Sequence, residues 1–466
     1  MPIELPTLKP NRPSNANRDR RTRTASGRNG RRDKGFPTVA LIPLGCAKAQ
    51  VDAEEMIGAL EVNGYRVVSD PTRADAVVVN TCGFIQPAKE ESIETILDAA
   101  MLKKTHGVRA VVATGCLVER YEDELRSDLP EADLLIPWSE ERQLITRLDR
   151  LFGIERGVPA EWGPRTLISP RHWAYVKISD GCDHTCAFCS IPEIRGRHVS
   201  VPPDEILDEV RWLVGLGVQE FNLVAQDTTL YGVDLFGKPS LPWLLRKLAE
   251  VPDVRWIRLL YSHPAHIDDE LINVMAEHES IVPYLDMPIQ HINDVLLKRM
   301  RRVVNRKRIE ELILRLRERI PQVTLRTSVI VGMPYETERR FQELLDFLVE
   351  ARFDRLGCFT YSKEEGTLAA TMAGQAPEHV REERRAITME VQRTISRQKN
   401  EARIGNEYDV LVERRTSTGG DGRSVCEAPE VDGEIYIRAS APLEPGTWAR
   451  VKITGADDYD LTGNVV

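Results

Sequence analysis

Apolar runs and helical stretches alternate through most of the chain. Residues 38–44 (TVALIPL) read as a buried strand ending at Gly45-Cys46, with a helical pattern over 52–63. Residues 74–79 (ADAVVV) form a second strand, ending at Asn80-Thr81-Cys82-Gly83, and a helix follows over about 88–101. A third strand over 108–113 ends at Thr114-Gly115-Cys116, again before helical sequence. This alternation predicts a parallel α/β domain. Residues 150–170 hold Gly and Pro without periodicity and read as a connector. A second series follows, with strands expected at 174–179, 221–226, 256–261, 284–287, 324–331 and 355–361. Its helices are expected at 203–215, 241–250, 268–277, 306–319 and 337–351. Six such units predict a partial parallel (β/α)6 barrel rather than the closed eightfold form. A charged helix over about 377–402 precedes short strands broken by Gly, Pro and Asp (YDVLVE, GEIYIRA, TWARVKITGA). These are expected to close as a small antiparallel five-stranded β-barrel of the oligonucleotide-binding type.

The organisation expected from this pattern is a disordered basic tail over 1–36, an α/β domain over 37–150 and a linker over 151–167. The partial barrel then spans 168–400 and the small β-barrel 401–466. At 466 residues, 42% hydrophobic and 29% charged, the chain has apolar material for several cores. It has no apolar window long enough to span a bilayer, and its first residues do not resemble a secretory signal, so a cytoplasmic protein is expected. The net charge of −9 divides into +7 over residues 1–36 and −16 over the rest. An acidic body argues against a general phosphate-backbone binder and suits a basic protein partner.

Eight cysteines in such a chain point to ligands or core thiols rather than disulfides. Cys46, Cys82 and Cys116 each fall at or just past the carboxyl end of a predicted strand, where ligand crevices of open parallel sheets lie. No GxGxxG follows the first strand, so a dinucleotide fingerprint is absent. Cys182, Cys186 and Cys189 form C-x3-C-x2-C directly after the first strand of the second series. Three thiolates on one loop suit a 4Fe–4S cluster with one iron free of protein ligands, or zinc with His184 or His198 as fourth ligand. Cys358 and Cys426 read as packing thiols.

The C-x3-C-x2-C motif, with Phe188 ahead of its last cysteine and a six-unit β/α barrel around it, resembles the radical S-adenosylmethionine (SAM) superfamily. The resemblance implies a 4Fe–4S cluster on Cys182, Cys186 and Cys189 whose open iron chelates SAM. One-electron cleavage then gives a 5′-deoxyadenosyl radical that abstracts hydrogen. It also places the adenosyl moiety at the end of the fifth barrel strand, in the string RTSVIVGMPYE, with Phe188, Ser328, Ile330, Gly332 and Pro334 as expected contacts. Arg195 and Arg197 stand near enough in sequence to neutralise the SAM carboxylate, and Gln226, Asp227, His263 and Gln290 fall at barrel strand ends.

Cys46, Cys82 and Cys116 ahead of such a barrel, with a small TRAM-like β-barrel behind it, resemble the methylthiotransferases over about residues 37–466. The resemblance implies that these three hold an auxiliary 4Fe–4S cluster that carries or activates the sulfur to be inserted. The chain departs from the family at Ala47 and Ala49, where Pro and Asn are frequent. The strings ISDG, SIPEIRG, AQDTTLYG and DMPIQH resemble the RimO type, which modifies the β-carbon of an aspartate in ribosomal protein uS12. The alternative is the MiaB type, which modifies C2 of a tRNA adenosine. Charge favours the first, because residues 402–466 carry a net −5, a poor face for phosphate and a suitable one for a basic ribosomal protein. The expectation is a radical SAM methylthiotransferase with two 4Fe–4S clusters and SAM, supplied with electrons by a carrier such as flavodoxin or ferredoxin. It is expected to be monomeric, with no membrane contact and nucleic acid at most peripheral. A metal-stabilised binding module without radical chemistry is the rival of another class.

Overall fold

The computed structural model describes residues 36–466, so the arm expected over 1–36 lies, but for Phe36, outside the described residues. The N-terminal part runs β1 (Thr38–Pro43), α1 (Ala47–Val62), β2 (Arg66–Val67), β3 (Ala76–Thr81), α2 (Gln86–Thr105), β4 (Ala110–Gly115), α3 (Cys116–Asp128), β5 (Leu134–Pro137) and α4 (Leu144–Phe152). Its five strands are all parallel, in the order β2-β1-β3-β4-β5. β3 and β4 are buried along their whole length, which is why they read as continuous apolar runs. The strand order reverses between β1 and β3, and the crevice beside such a reversal is where these sheets bind ligands.

Helix α1 begins earlier than its periodicity suggests. Lys48, Asp52 and Glu54 are buried together with its apolar residues, so no polar face marks the first turns. Its outer side packs on β6, the first strand of the central sheet.

The central part continues with β6 (Trp173–Lys177), β7 (Ser179–Asp180), α5 (Ile191–Arg195), β8 (Val199–Ser200), α6 (Pro203–Gly215), β9 (Glu220–Val224), α7 (Val233–Phe236), α8 (Leu241–Ala249) and β10 (Trp256–Leu259). Then come α9 (Asp269–Glu277), β11 (Ile281–Asp286), α10 (Asp294–Arg299), α11 (Arg306–Arg319), β12 (Thr324–Val331), α12 (Glu338–Ala351), β13 (Arg355–Thr360) and α13 (Glu378–Glu401). Six parallel strands pair in chain order, from β6 through β9, β10, β11 and β12 to β13. Side-chain caps start the helices: Asp268, Asn305 and Thr337 accept from the backbone N–H groups of Leu271, Arg308 and Arg340. Ala174, Val176, Phe221, Leu223, Ile257 and Leu259 turn to the helices. Their strand neighbours turn the other way, as the period of two demands.

That second face receives the C-terminal barrel, β14 (Glu407–Thr416), β15 (Gly419–Arg423), β16 (Ile435–Arg438), β17 (Trp448–Ala456) and β18 (Leu461–Val465), which closes in the order β14-β15-β16-β18-β17. Four of its pairs are antiparallel, and β16 with β18 is parallel. Leu411 and Ala428 join Trp173, Tyr175, Trp256 and Tyr284 in one apolar cluster. Polar groups meet beside it: Glu220 lies between Arg258 and Arg423, and the Tyr284 hydroxyl donates to Asp432 at 2.7 Å.

Candidate metal centres

Cys46 caps the amino end of α1, Cys82 follows β3, and Cys116 opens α3. Sheet register makes these ends level, since Pro43 pairs with Asn80 and Thr81 with Gly115. Glycines let them touch: a methyl added at Gly45 would meet Cys82 Cβ at 3.2 Å, and one at Gly83 would meet Cys116 O at 2.7 Å. Ser92 Oγ accepts from Cys82 N at 2.9 Å and donates to Cys82 O at 3.1 Å, fixing that turn. Asn80 Nδ2 donates to Ala49 O at 2.9 Å and ties β3 to α1, so Ala49 contributes a carbonyl and a buried methyl. Burial pushes the Cys82 thiol up and Cys116 up to about 12, and the neighbouring thiols add to both rises. Cys46 is itself solvent-exposed; the surrounding protein acts upward on its thiol, but Lys48 and the N–H groups of Ala49 and Lys48 outweigh it and the thiol falls below its ordinary value. Close thiols of this kind suit a metal, whose charge displaces their protons.

The second trio lies on the loop after β7. Cys182 N donates to Gly196 O at 3.1 Å and Cys189 N to Cys186 O at 3.2 Å. Ala187, between the last two cysteines, donates to Met300 O at 3.0 Å and accepts from Ala369 N at 2.7 Å, so the loop is pinned from both sides. Burial pushes Cys182 up to about 11 and Cys189 up to about 12. Arg302 Nη1 reaches Cys186 Sγ at 3.7 Å. Each histidine considered for zinc has one ring nitrogen engaged: His184 Nε2 is 2.7 Å from Asp227 Oδ2, and His198 Nε2 is 3.1 Å from Ser200 Oγ. Three thiols on one pinned loop suit an iron–sulfur cluster with one open iron.

Between the trios lies a buried array of charges. Arg195, at the end of α5, donates through Nε to Cys116 Sγ at 3.2 Å and pairs with Asp52 at 2.8 Å and Asp180 at 3.2 Å. Its guanidinium also lies 4.5 Å from the Trp138 ring. The residue expected at the SAM carboxylate is therefore committed to the earlier cysteines. Lys177 pairs with Asp52, and Gln226 Nε2 donates to Asp180 Oδ1 at 2.8 Å. Burial would raise Asp52, but Lys177 and Arg195 outweigh it and hold the carboxyl below its ordinary range.

Of the other expected SAM contacts, Phe188 and Ile330 come together, packed on Ala187, Met300, Met333, Tyr361 and Ala369. The alternation of β12 puts Ser328 on the same open side as Ile330. Gly332 has φ +76, and a Cβ there would meet Arg381 Cγ at 2.1 Å. The glycine thus makes room for Arg381 on its Cβ side, and Pro334 is buried in the turn that follows. Arg197 is exposed, and Gln290 is held at φ +68. Cys358 and Cys426 lie apart in β13 and in the turn after β15.

Sequence reasoning missed Lys48, Asp52 and Lys177, which carry no motif of their own, and read Asp180 only as part of the string ISDG. It also missed His266, whose place was legible in the string SHPAH at the end of β10. Ligating atoms of His184, Asp227, His263 and His266 lie within 4.8 Å of one another. Burial and the nearby Arg302 push His263 strongly downward, so its ring is neutral.

Comparison with known proteins agrees with this layout. Residues 176–348 match the Radical SAM superfamily, 38–137 match the uncharacterized protein family UPF0004, and 404–466 match the TRAM domain. The chain is 43% identical over 442 residues to the ribosomal protein uS12 methylthiotransferase RimO of Desulforamulus reducens, covering 92% of this chain and 100% of that one. It is 46% identical over 437 residues to the protein of that name from Heliobacterium modesticaldum, covering 92% and 95%. Among solved structures, the radical SAM methyltransferase TsrM of Kitasatospora setae superposes with a TM-score of 0.52 at 16% identity, covering 69% of this chain and 72% of that one. This last likeness is one of fold.

Proposed function

The chain belongs to the uS12 methylthiotransferase family of radical SAM enzymes, and from that membership we propose that it replaces a C–H bond at the β-carbon of a uS12 aspartate with C–S–CH3, using SAM and two 4Fe–4S clusters. Cys182, Cys186 and Cys189 hold the cluster that binds SAM; Cys46, Cys82 and Cys116 hold the auxiliary one. A flavodoxin or ferredoxin supplies the electrons. When bound, these groups supply one-electron cleavage of SAM, hydrogen abstraction from an unactivated carbon, and sulfur.

The chain's own residues do the rest. Arg195 and Arg302 donate hydrogen bonds to one sulfur of each trio, which orients the ligands and spreads their negative charge. Phe188, Ser328 and Ile330 wall the side of the chamber left for SAM, with Met333 and Tyr361 behind them excluding water. Gln226 orients Asp180 between the two centres.

The observation that carries the reading is the reach of Arg195. It lies six residues beyond the last cysteine of one trio and bonds to a sulfur of the other, which supports two centres opening on one space. The test is iron and sulfide analysis of the anaerobically reconstituted chain beside a C46A/C82A/C116A variant. About eight irons per chain should fall to about four. The variant should still cleave SAM and should no longer methylthiolate uS12, as read by mass spectrometry. Unchanged iron in the variant, or wild-type enzyme that modifies a tRNA adenosine and leaves uS12 untouched, overturns the proposal.

A further inference from the structure

Lys48 stands in the first turn of α1, two residues after Cys46. It is only 7% exposed, and its Nζ lies 3.5 Å above the centre of the Tyr261 ring. Buried ammonium and guanidinium groups are as a rule paired with acids. The other buried cations of this region obey that rule: Lys177 and Arg195 share Asp52 and Asp180, and Arg326 holds Asp286 at 2.8 Å. Among the described residues no carboxylate stands within ion-pairing distance of Lys48. Asp180, the acid whose field reaches it, is already taken by Arg195, Gln226 and the Gly181 N–H. An aromatic face holds a cation in place without neutralising it.

The platform beneath is itself constrained. Tyr261 sits at φ +58, a left-handed conformation costly for a bulky residue. It is imposed from both sides: Tyr261 N donates to Asp286 Oδ2 at 3.0 Å, and its carbonyl accepts from Thr228 N at 3.2 Å. Strain of this kind persists where the surroundings enforce it, and it concentrates at ligand sites. Two parts of the fold thus meet to hold a buried positive charge, without a carboxylate partner among the described residues, beside the first cysteine of the auxiliary trio, the one thiol whose field it feels.

We propose that the Lys48 ammonium is the counter-charge for the side-chain carboxylate of the substrate aspartate, and that it selects aspartate over asparagine. The inference rests on the reading above that the substrate is an aspartyl residue. The carbon to be modified is bonded directly to that carboxylate, so a cation that fixes the carboxylate also fixes the C–H bond beside Cys46. SAM carries a carboxylate too, but the cation beside the SAM-binding trio is Arg302, on Cys186.

The experiment uses the anaerobically reconstituted full chain with K48Q and K48R variants, and two labelled uS12 peptides carrying Asp or Asn at the modified position. K48Q is expected to keep wild-type iron content and peptide-independent SAM cleavage. It should bind the Asp peptide about 10- to 100-fold more weakly, the range of a hydrogen bond between charged groups. Its affinity for the Asn peptide should match wild type, so the preference collapses, and K48R should restore part of it. The inference is overturned if K48Q keeps its Asp-over-Asn preference, loses both peptides equally, loses iron, or binds SAM more weakly with peptide affinity intact. Wild-type enzyme that neither binds nor modifies the Asp peptide would sink the substrate reading itself, whatever the variants do.

Discussion

Glu220→Gln measures how firmly the C-terminal barrel is fastened to the central sheet. Glu220 opens β9, fully buried, with Arg258 Nε at 3.0 Å and Arg423 Nη2 at 2.7 Å. Burial alone would raise its carboxyl, but Arg423 and Arg258 outweigh it and hold it below the ordinary value. The amide would leave Arg423 with Glu413 at 2.7 Å, and Arg258 with the Val425 carbonyl at 2.8 Å and the Tyr284 ring at 4.6 Å. Removing one partner of a buried pair costs about 3–5 kcal/mol because the other charge stays in a poor solvent. Since Arg423 keeps one acid, the loss should fall at the lower end, about 3 kcal/mol. Urea unfolding followed by circular dichroism measures it, and faster proteolysis near residues 402–406 should accompany it. Glu407→Gln is the control: its partner Arg450 is 3.4 Å away and both side chains are well exposed, so the loss should be at most about 1 kcal/mol. Equal losses in the two variants would refute the reasoning.

Two further outcomes follow from the same geometry. Burial would raise Glu427, but Arg403 and Arg355 outweigh it and hold it at about 2. A carboxyl lowered on folding stabilises the chain fully above its unfolded value and loses that contribution as pH falls through the folded one. Stability should therefore drop by about 3 kcal/mol between roughly pH 4.5 and 2. Denaturation midpoints across that window should show the drop, and E427Q should flatten it. Gly332→Ala forces a side chain into φ +76 and against Arg381 at 2.1 Å. It should cost about 1–3 kcal/mol and raise the KM for SAM; an unchanged melting temperature would show that the turn relaxes freely.

Most of the central strands were legible because an apolar run is followed by helical sequence, although β13 (RLGCFT) is only partly buried. β2 and β5 were not, being two and four residues long and without a period to detect. The six cysteines were legible because strand ends and loop spacing are local properties. The charges that fix them are not local: Lys177 and Asp52 are 125 positions apart, and Arg423 and Glu220 are 203 apart. Arg195 shows the consequence: its neighbours in sequence pointed to one cysteine trio, and in space it also reaches Cys116 of the other, 79 positions away. The net charge of the C-terminal stretch is not all at its surface, although its acidic sign stands when the buried charges are left out. Arg403, Arg423 and Glu427 count toward it, yet all three are spent on ion pairs inside the fold.

Helix α1 explains why the two trios can act as one site. It begins at Cys46, and its next turns carry Asp52 against Arg195 and Lys177, then Glu54 against Arg165 at 3.0 Å. Further along, Gly58 lies so close to the Pro164 carbonyl that a Cβ there would approach it to 2.1 Å. Burial pushes Glu54 upward despite Arg165, whereas Lys177 and Arg195 hold Asp52 below its ordinary range. Drawing α1 away from the central sheet would break those pairs in a dry interface, at about 3–5 kcal/mol for each charge left alone. States with the domains parted are then populated at well under one part in a hundred. The spacing between the sulfur trios is therefore set by folding rather than by closure on a substrate. On the proposed function, a substrate aspartate would have to enter on a segment narrow enough to reach between domains that stay together, which favours an extended loop of its protein over a rigid helical face.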